Sequence, residues 1–556
     1  MKRRISKKAF RETGAIKKRW NSRVKIALVF PDSYALGMSN LGFQRVYELL
    51  NSHDHILAER FFLPQMRYPE IELRSLEAGR GLREFDLILF SISFEYSYLN
   101  VPLILELGKV PLYSIDRDDA CPLVLAGGIA CQINPEPIAP VMDGFLLGDF
   151  EAIGPRLAEF LEDEPLYGQP REKILERIQS QCPGVYVPLF FDASSEKRHR
   201  RIKPAILEDV PDILPHSVVL SEKAAFANTF LLEVSRGCGR GCRFCAAGFV
   251  YRPPRPWPIG NVLHTLDFAD GVQKIGLVGL EFMEKAGLDD LISTLIQRGT
   301  SLGFSSLRAD AVTPEFARLL AASGSKTATI AIEAGSEKLR KVINKNLSQG
   351  QIMACCDHLL SSGIRHLKLY FMLGLPFEED SDVEEIVVLS RKILKLLRQA
   401  GRQRGNMGLL TVSVSTFVPK AWTPFQWASF IEPHVLYRRR AILEKGLRSV
   451  PNMKLKLDSP DKAFIQAVIS RGDRDLAYNL ITARLRGAGT GKMVKEIALK
   501  AEKYLRIRPE DQDFPWEIIN HRVKRAFLLS QWKKSEMQRE TSFCNTQKCR
   551  RCGACR

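Results

Sequence analysis

Short apolar runs recur along the first third of the chain, each followed by a turn and then by a stretch of helical periodicity. Residues 24–30, 86–91, 122–126 and 144–147 are almost continuous in Val, Ile, Leu, Ala and Phe. Strands covered on both faces of a parallel sheet have this pattern. Their alternation with helical segments predicts a Rossmann-like, doubly wound α/β domain over 23–152, with ligands at the carboxyl ends of its strands. A second series follows at 230–234, 274–280, 303–308, 327–333, 366–373 and 409–415. Six such units predict a partial (βα)6 barrel over 223–430, open on one side, with the polar strand ends gathered on one face. Thr313-Pro314-Glu315 is a helix start, with a capping hydroxyl followed by Pro at the first helical position. The remaining stretches are a basic arm at 1–22, a Pro-rich irregular linker at 153–222, a mainly helical and basic region at 431–540 and a Cys-rich tail at 541–556.

The chemistry concentrates in Ser235-Arg236-Gly237-Cys238-Gly239-Arg240-Gly241-Cys242-Arg243-Phe244-Cys245, a Gly-rich loop directly after the first strand of the second series. Its C-x3-C-x2-C spacing offers three soft thiolates, which select an iron–sulfur cluster or zinc. Three thiolates on a four-iron cluster leave one iron open, and reaction needs an open position that a closed structural site lacks. A zinc knuckle would need a fourth ligand nearby, and neither His264 nor Cys355 stands at knuckle spacing. Phe244 offers an apolar edge that would shield a cluster and stack a purine. A second group, Cys544, Cys549, Cys552 and Cys555, reads as another metal site: C-x2-C-x2-C matches ferredoxin-type ligation, while four cysteines also suit zinc. Cys121, Cys131, Cys182, Cys355 and Cys356 have no metal spacing and read as buried thiols.

On these motifs the chain resembles the radical SAM superfamily. The resemblance implies a [4Fe-4S] cluster on Cys238, Cys242 and Cys245, with the amino and carboxylate groups of S-adenosylmethionine on the open iron and reductive cleavage to a 5′-deoxyadenosyl radical. Ser306 and Arg308 match a third-strand position that meets the ribose or the carboxylate. Glu333 matches a fourth-strand position that accepts bonds from ribose hydroxyls or the methionyl ammonium, and Gly374 a turn that lets backbone approach adenine. A structural ion pair is the other reading for Arg308 and Glu333. The second strand departs from the family, ending Val278-Gly279-Leu280-Glu281 where many members have Gly-Gly-Glu. The N-terminal loops resemble a cobalamin-binding domain: Gly127, Gly128, Gly148 and Glu151 match positions that line the corrin and its nucleotide tail. The loop at 32–42 has no His, so a His ligand to cobalt is not expected from it; the alternative is a domain that has lost its cofactor. Trp422, Phe425 and Trp427 would either wall the substrate space or simply pack.

Composition narrows the partners. The formal net charge is +18 over 556 residues, which favours a polyanion, RNA above all, although no aromatic RNP stripe is present. No apolar run reaches the roughly 18 residues that span a bilayer, and the basic start is followed by no apolar signal region. Clustered cysteines in such a chain fit a reducing cytoplasm. The expectation is a radical SAM enzyme, supplied by a flavodoxin or ferredoxin, that methylates an unactivated carbon with cobalamin. The alternatives are sulfur insertion by a second C-terminal cluster and a non-catalytic RNA-binding protein on the same scaffold.

Overall fold

The computed structural model describes residues 11–21, 23–64, 72–163, 166, 168–191, 201–279, 288–304, 306–546 and 548–555. Most of the basic arm and Leu280-Glu281 lie outside them. The N-terminal sheet has five parallel strands, β1 (Val24–Phe30), β2 (Ile56–Phe62), β3 (Leu87–Ser91), β4 (Leu123–Gly127) and β5 (Gly144–Leu146), and an antiparallel edge, β6 (Val185–Tyr186). Its order, β2-β1-β3-β4-β5-β6, is a flavodoxin-like doubly wound order with its switch point at β1 and β3. Strand alternation explains the continuous apolar runs. Ala27, Val29, Ile88, Phe90, Val124 and Ala126 enter one core, while Ile26, Leu28, Leu87, Leu89, Leu123 and Leu125 enter the other.

The sequence pattern hid β2 because charges interrupt it. Glu59 and Arg60 are both buried, with Arg60 paired to Glu77 at 2.6 Å and to Glu12 at 2.8 Å. Glu12–Thr13 in turn pair antiparallel with Leu220–Ser221, so the end of the basic arm is fixed to the body. The expected linker also holds more structure than its prolines suggested. Helix α1 (Leu41–Asn51) is joined on the same face of the sheet by α2 (Phe150–Asp163) and α3 (Arg171–Gln181), through Ile153, Leu157, Ile174 and Ile178.

The second unit is a parallel arc of seven strands: β7 (Phe230–Glu233), β8 (Lys274–Val278), β9 (Ser301–Phe304), β10 (Thr327–Glu333), β11 (His366–Leu373), β12 (Leu410–Thr416) and β13 (Met453–Leu457). Every neighbour in the arc is consecutive in sequence, and a bridge from Leu307 to Ile330 links β9 with β10. The seventh strand extends the six expected. Its Met-Lys-Leu-Lys-Leu alternation packs Met453, Leu455 and Leu457 against the barrel's core, while Lys456, opposite Ser413 of β12, lines the cavity inside the arc. The helix start at 313 forms as expected, the Thr313 hydroxyl accepting from the Phe316 amide at 3.1 Å.

Beyond the arc, helices α4 (Pro460–Ser470), α5 (Arg474–Leu485), α6 (Thr490–Leu505) and α7 (Arg525–Glu536) turn back to the N-terminal sheet. Ile465, Leu476, Ile497 and Leu528 share one core with Val29, Phe90 and Ala126. Helices α4 and α5 pack on the segments 95–107 and 136–141, whose Leu99, Val101, Ile104 and Ile138 share the same core, and so add an outer layer to the N-terminal domain. Trp422, Phe425 and Trp427 are buried in that core, which assigns them to packing. No helix among the described residues is long and apolar enough to cross a membrane.

His521 marks the same seam. It is fully buried, with its ring nitrogen 2.7 Å from the Gln132 carbonyl and its ring edge-on to Trp422. Asp149, Arg255 and Arg522 line the small cavity beside it. Burial pushes its pKa down to about 4. The unfolded chain therefore takes up this proton below about pH 6.5 while the folded chain refuses it until about pH 4. Stability should fall by about 3 kcal/mol on acidification across that window. His521→Asn should flatten this part of the urea midpoint plotted against pH; an unchanged slope would show that another group is responsible.

Candidate functional site

The cysteine loop leaves β7 through Ser235–Arg236, which pair with Arg255–Pro256. Gly237 and Gly241 both sit at positive φ; a side chain at 237 would meet the Tyr251 carbonyl at 2.5 Å, so the loop folds this way only with glycine there. Cys238, Cys242 and Cys245 are all half-buried. Cys245 lies within electrostatic reach of Cys242, and burial raises its pKa. Arg308 lies within reach of both Cys238 and Cys242. Three thiols on one glycine loop thus face a common space, with a cation beside them. Phe244 is half-buried and packs at the edge of the core. Among the described residues no three His, Cys, Asp or Glu side chains stand at the spacing of a single-ion site.

Arg243, which sequence reasoning passed over, fixes the loop from behind. Its side chain is wholly buried and donates to the carbonyls of Lys341, Val342 and Arg539 at 3.0, 2.7 and 2.5 Å. Burial lowers its pKa to about 10, against the opposing pull of Cys242 and Glu540. Only its position inside the cysteine spacing marks it in the sequence.

Glu333 ends β10 where the pairing with β11 shifts register, and its backbone is left-handed, with φ of 72°. Such a bulge re-aims a side chain, and its strain clusters at functional positions. The carboxylate accepts from Lys345 Nζ at 3.2 Å, and both groups lie within reach of Cys245. Glu333 also opens on a cavity of about 460 Å³, lined besides by Tyr370, Met372, Ser413, Ser415 and Asp458. This volume lies within the range of ligand pockets. The inward positions of β11 and β12 were legible only as alternation, so Tyr370, Ser413 and Ser415 were not singled out.

The other expected residues are placed as follows. Arg308 is bidentate to Asp310, both bonds 2.9 Å, and also donates to the Lys345 carbonyl; the ion-pair reading therefore holds for it alongside its place near the thiols. Ser306 is exposed after β9. Gly374 has φ of 83°, and its amide donates to Glu378 Oε2 at 2.7 Å. Glu378 is paired with Arg439 at 2.7 Å, yet burial still pushes its pKa up to about 7.

At the carboxyl ends of the N-terminal sheet, Gly128 and Gly148 have φ of 100° and 128°. Side chains there would meet the Ile92 and Ala205 carbonyls, at 2.4 and 2.1 Å. The Gly127 carbonyl accepts from the Ile92 amide at 2.8 Å. Glu151 is buried and paired with Arg236 at 2.9 Å, while Asp149 meets Arg236 at 3.0 Å and also Arg255. These turns are held by the chain itself and pin the N-terminal sheet to the start of the cysteine loop.

Two family models match: one described as radical SAM proteins, N-terminal, over residues 42–188, and one described as the radical SAM superfamily, over 232–390. Together they cover more than half of the chain. An uncharacterised protein of Methanocaldococcus jannaschii, MJ0966, is 27% identical over 463 residues, 82% of this chain and 90% of its own. Among solved structures, the radical S-adenosylmethionine methyltransferase TsrM from Kitasatospora setae, with cobalamin and a [4Fe-4S] cluster bound, matches with a TM-score of 0.50 at 12% identity. That match covers 86% of this chain and 99% of TsrM, and it speaks to the fold. The cobalamin-dependent S-adenosylmethionine radical enzyme OxsB matches more loosely, with a TM-score of 0.48 at 15% identity over 93% of this chain and 80% of its own.

Proposed function

We propose, from the premise that the chain belongs to the radical SAM superfamily, that it cleaves S-adenosylmethionine reductively and uses cobalamin to methylate an unactivated carbon. The observation that carries the cleavage half is Glu333, which lies within electrostatic reach of Cys245 and also lines the barrel cavity. When bound, the cluster would supply the electron that breaks the sulfonium's carbon–sulfur bond, and the corrin the methyl group. Cys238, Cys242 and Cys245 fit the cluster, since three soft donors are held on one loop by glycine turns and by Arg243. Glu333, kept close to Lys345, offers a carboxylate to ribose hydroxyls or to the methionyl ammonium. Arg308 brings a cation to the side of the loop where a carboxylate would lie.

The corrin half is supported by the strand order and by the direction in which the carboxyl ends of β4 and β5 face, toward the cysteine loop. At the residue level the fit is poor. Gly148, Asp149 and Glu151 are engaged by Ala205, Arg236 and Arg255, so the strand order and the direction of the strand ends carry the corrin half, and these side chains do not.

The test is anaerobic purification with metal analysis, reconstitution with iron and sulfide, and then addition of S-adenosylmethionine and dithionite. Release of 5′-deoxyadenosine with stoichiometric cobalt is the expected result. A full cluster without that product would shift the weight to a binding role, and product without cobalt would remove the corrin half. Glu333→Gln should weaken S-adenosylmethionine binding by about 1.5–3 kcal/mol, roughly 10- to 150-fold, in equilibrium dialysis against the reconstituted protein. An unchanged affinity would leave Glu333 as a structural partner of Lys345.

A further inference from the structure

The four-cysteine tail does not hang free. The Cys544 amide donates to the Gly239 carbonyl at 2.9 Å, inside the C-x3-C segment. Covalent geometry then keeps the Cα atoms of Cys544 and Cys238 within about 11 Å. The Arg240 guanidinium lies 4.0 Å from the centre of the Phe543 ring. Asn344 Nδ2 donates to the carbonyls of Arg240 and Gly241 at 3.3 and 3.2 Å, while its Oδ1 accepts from the Thr541 amide at 2.8 Å. Farther along, the Lys524 amide donates to the Cys552 carbonyl at 2.8 Å, and Cys552 and Ala554 are buried in the main core. Gly553, at φ of 88°, makes the turn between the last two cysteines. The Cys544 thiol lies within electrostatic reach of Cys549, Cys552 and Cys555.

Arg252 is the second observation. It is 5% exposed, and its Nε donates to the Gly248 carbonyl at 2.8 Å. Its Nη2 lies against Gly241, 3.4 Å from the place of a side-chain carbon there. Its guanidinium stacks between Phe249 and Phe527, 4.7 and 5.6 Å from the ring centres. No Asp or Glu among the described residues forms an ion pair with it. The groups within its electrostatic reach are instead Cys544, Cys549 and Cys555. A buried guanidinium with no anion is costly, and a metal centre with four thiolate ligands carries net negative charge.

We propose that Cys544, Cys549, Cys552 and Cys555 hold a second iron–sulfur cluster, seated on the catalytic cysteine loop and neutralised by Arg252. Iron–sulfur is chosen over zinc because C-x2-C-x2-C is cluster spacing. The catalytic half of this picture rests on the function proposed above; the tail half does not.

The experiment compares three full-length chains reconstituted anaerobically with ferrous iron and sulfide: the natural sequence, Cys549→Ser/Cys552→Ser, and Cys238→Ser/Cys242→Ser/Cys245→Ser. About eight irons should bind the first and about four each variant. After dithionite the natural protein should show spin–spin broadening in its electron paramagnetic resonance spectrum that both variants lose. In the triple variant, further replacement of Arg252 by Gln should keep the iron and lower the reduction potential of the remaining signal. Retention of iron by the triple variant upholds the tail site even if no 5′-deoxyadenosine is ever formed. A triple variant that binds no iron, or binds zinc in its place, overturns the proposal.

Discussion

Cys242→Ala should reduce 5′-deoxyadenosine formation to background, a loss of more than about a thousand-fold, without loosening the fold. Cys242 is half-buried on a loop that Arg243 and two glycines already hold, so removing its sulfur leaves the scaffold intact and only a two-thiolate site. The control is Cys355→Ala, because Cys355 is buried in the barrel core behind Ile352 and Leu359. It should keep its iron and its activity. Iron analysis, the deoxyadenosine assay and far-ultraviolet circular dichroism on the two variants decide the matter. Equal activities would remove the loop from the chemistry.

The second large effect is on stability. Arg236 leaves the cysteine loop to meet Asp149, Glu151 and Glu233 at 3.0, 2.9 and 2.8 Å. Replacing it with Met strands buried carboxylates, and breaking a buried pair from one side costs about 3–5 kcal/mol. The sign with pH follows from the pairing. The two N-terminal carboxylates are held below their ordinary values, in spite of burial, by the Arg236 and Arg255 charges. Their contribution is therefore complete above about pH 4.5 and fades on acidification. In Arg236→Met, only Arg255 at Asp149 and the longer 3.7 Å contact of Arg45 at Glu151 still oppose burial, so the deficit should be largest at neutral pH and shrink toward pH 4. Urea midpoints of both proteins across that range test it. A deficit that does not change with pH would mean that lost packing, rather than stranded charge, is the cause.

The sequence revealed whatever obeys a period. Both parallel sheets were legible because strands covered on two faces have to be apolar throughout, and the cysteine loop was legible because its ligands are local. β2 was missed because the buried charges Glu59 and Arg60 break the run, Arg60 being paired with Glu77 and Glu12 from elsewhere in the chain. β13 was missed because two of its five residues are lysine and it lies at a sheet edge. The engagement of Glu151 by Arg236 and the seat of Cys544 on Gly239 connect residues far apart in sequence, and no local pattern encodes such pairings. For the same reason Gly148 matched a cofactor motif while its backbone serves contact with Ala205.

The C-terminal helices that pack over the N-terminal domain also set a schedule for biosynthesis. At about 5–20 residues per second, Leu99 and Ile138 leave the ribosome tens of seconds before Ile465 and Leu476 arrive to pack on their layer. That apolar surface thus waits uncovered in the cell. Contacts this distant in sequence fold slowly, and a nascent chain of this kind calls on chaperones. A fragment truncated after the barrel should be recovered from inclusion bodies, while supplying residues 458–556 as a separate polypeptide should return it to solution.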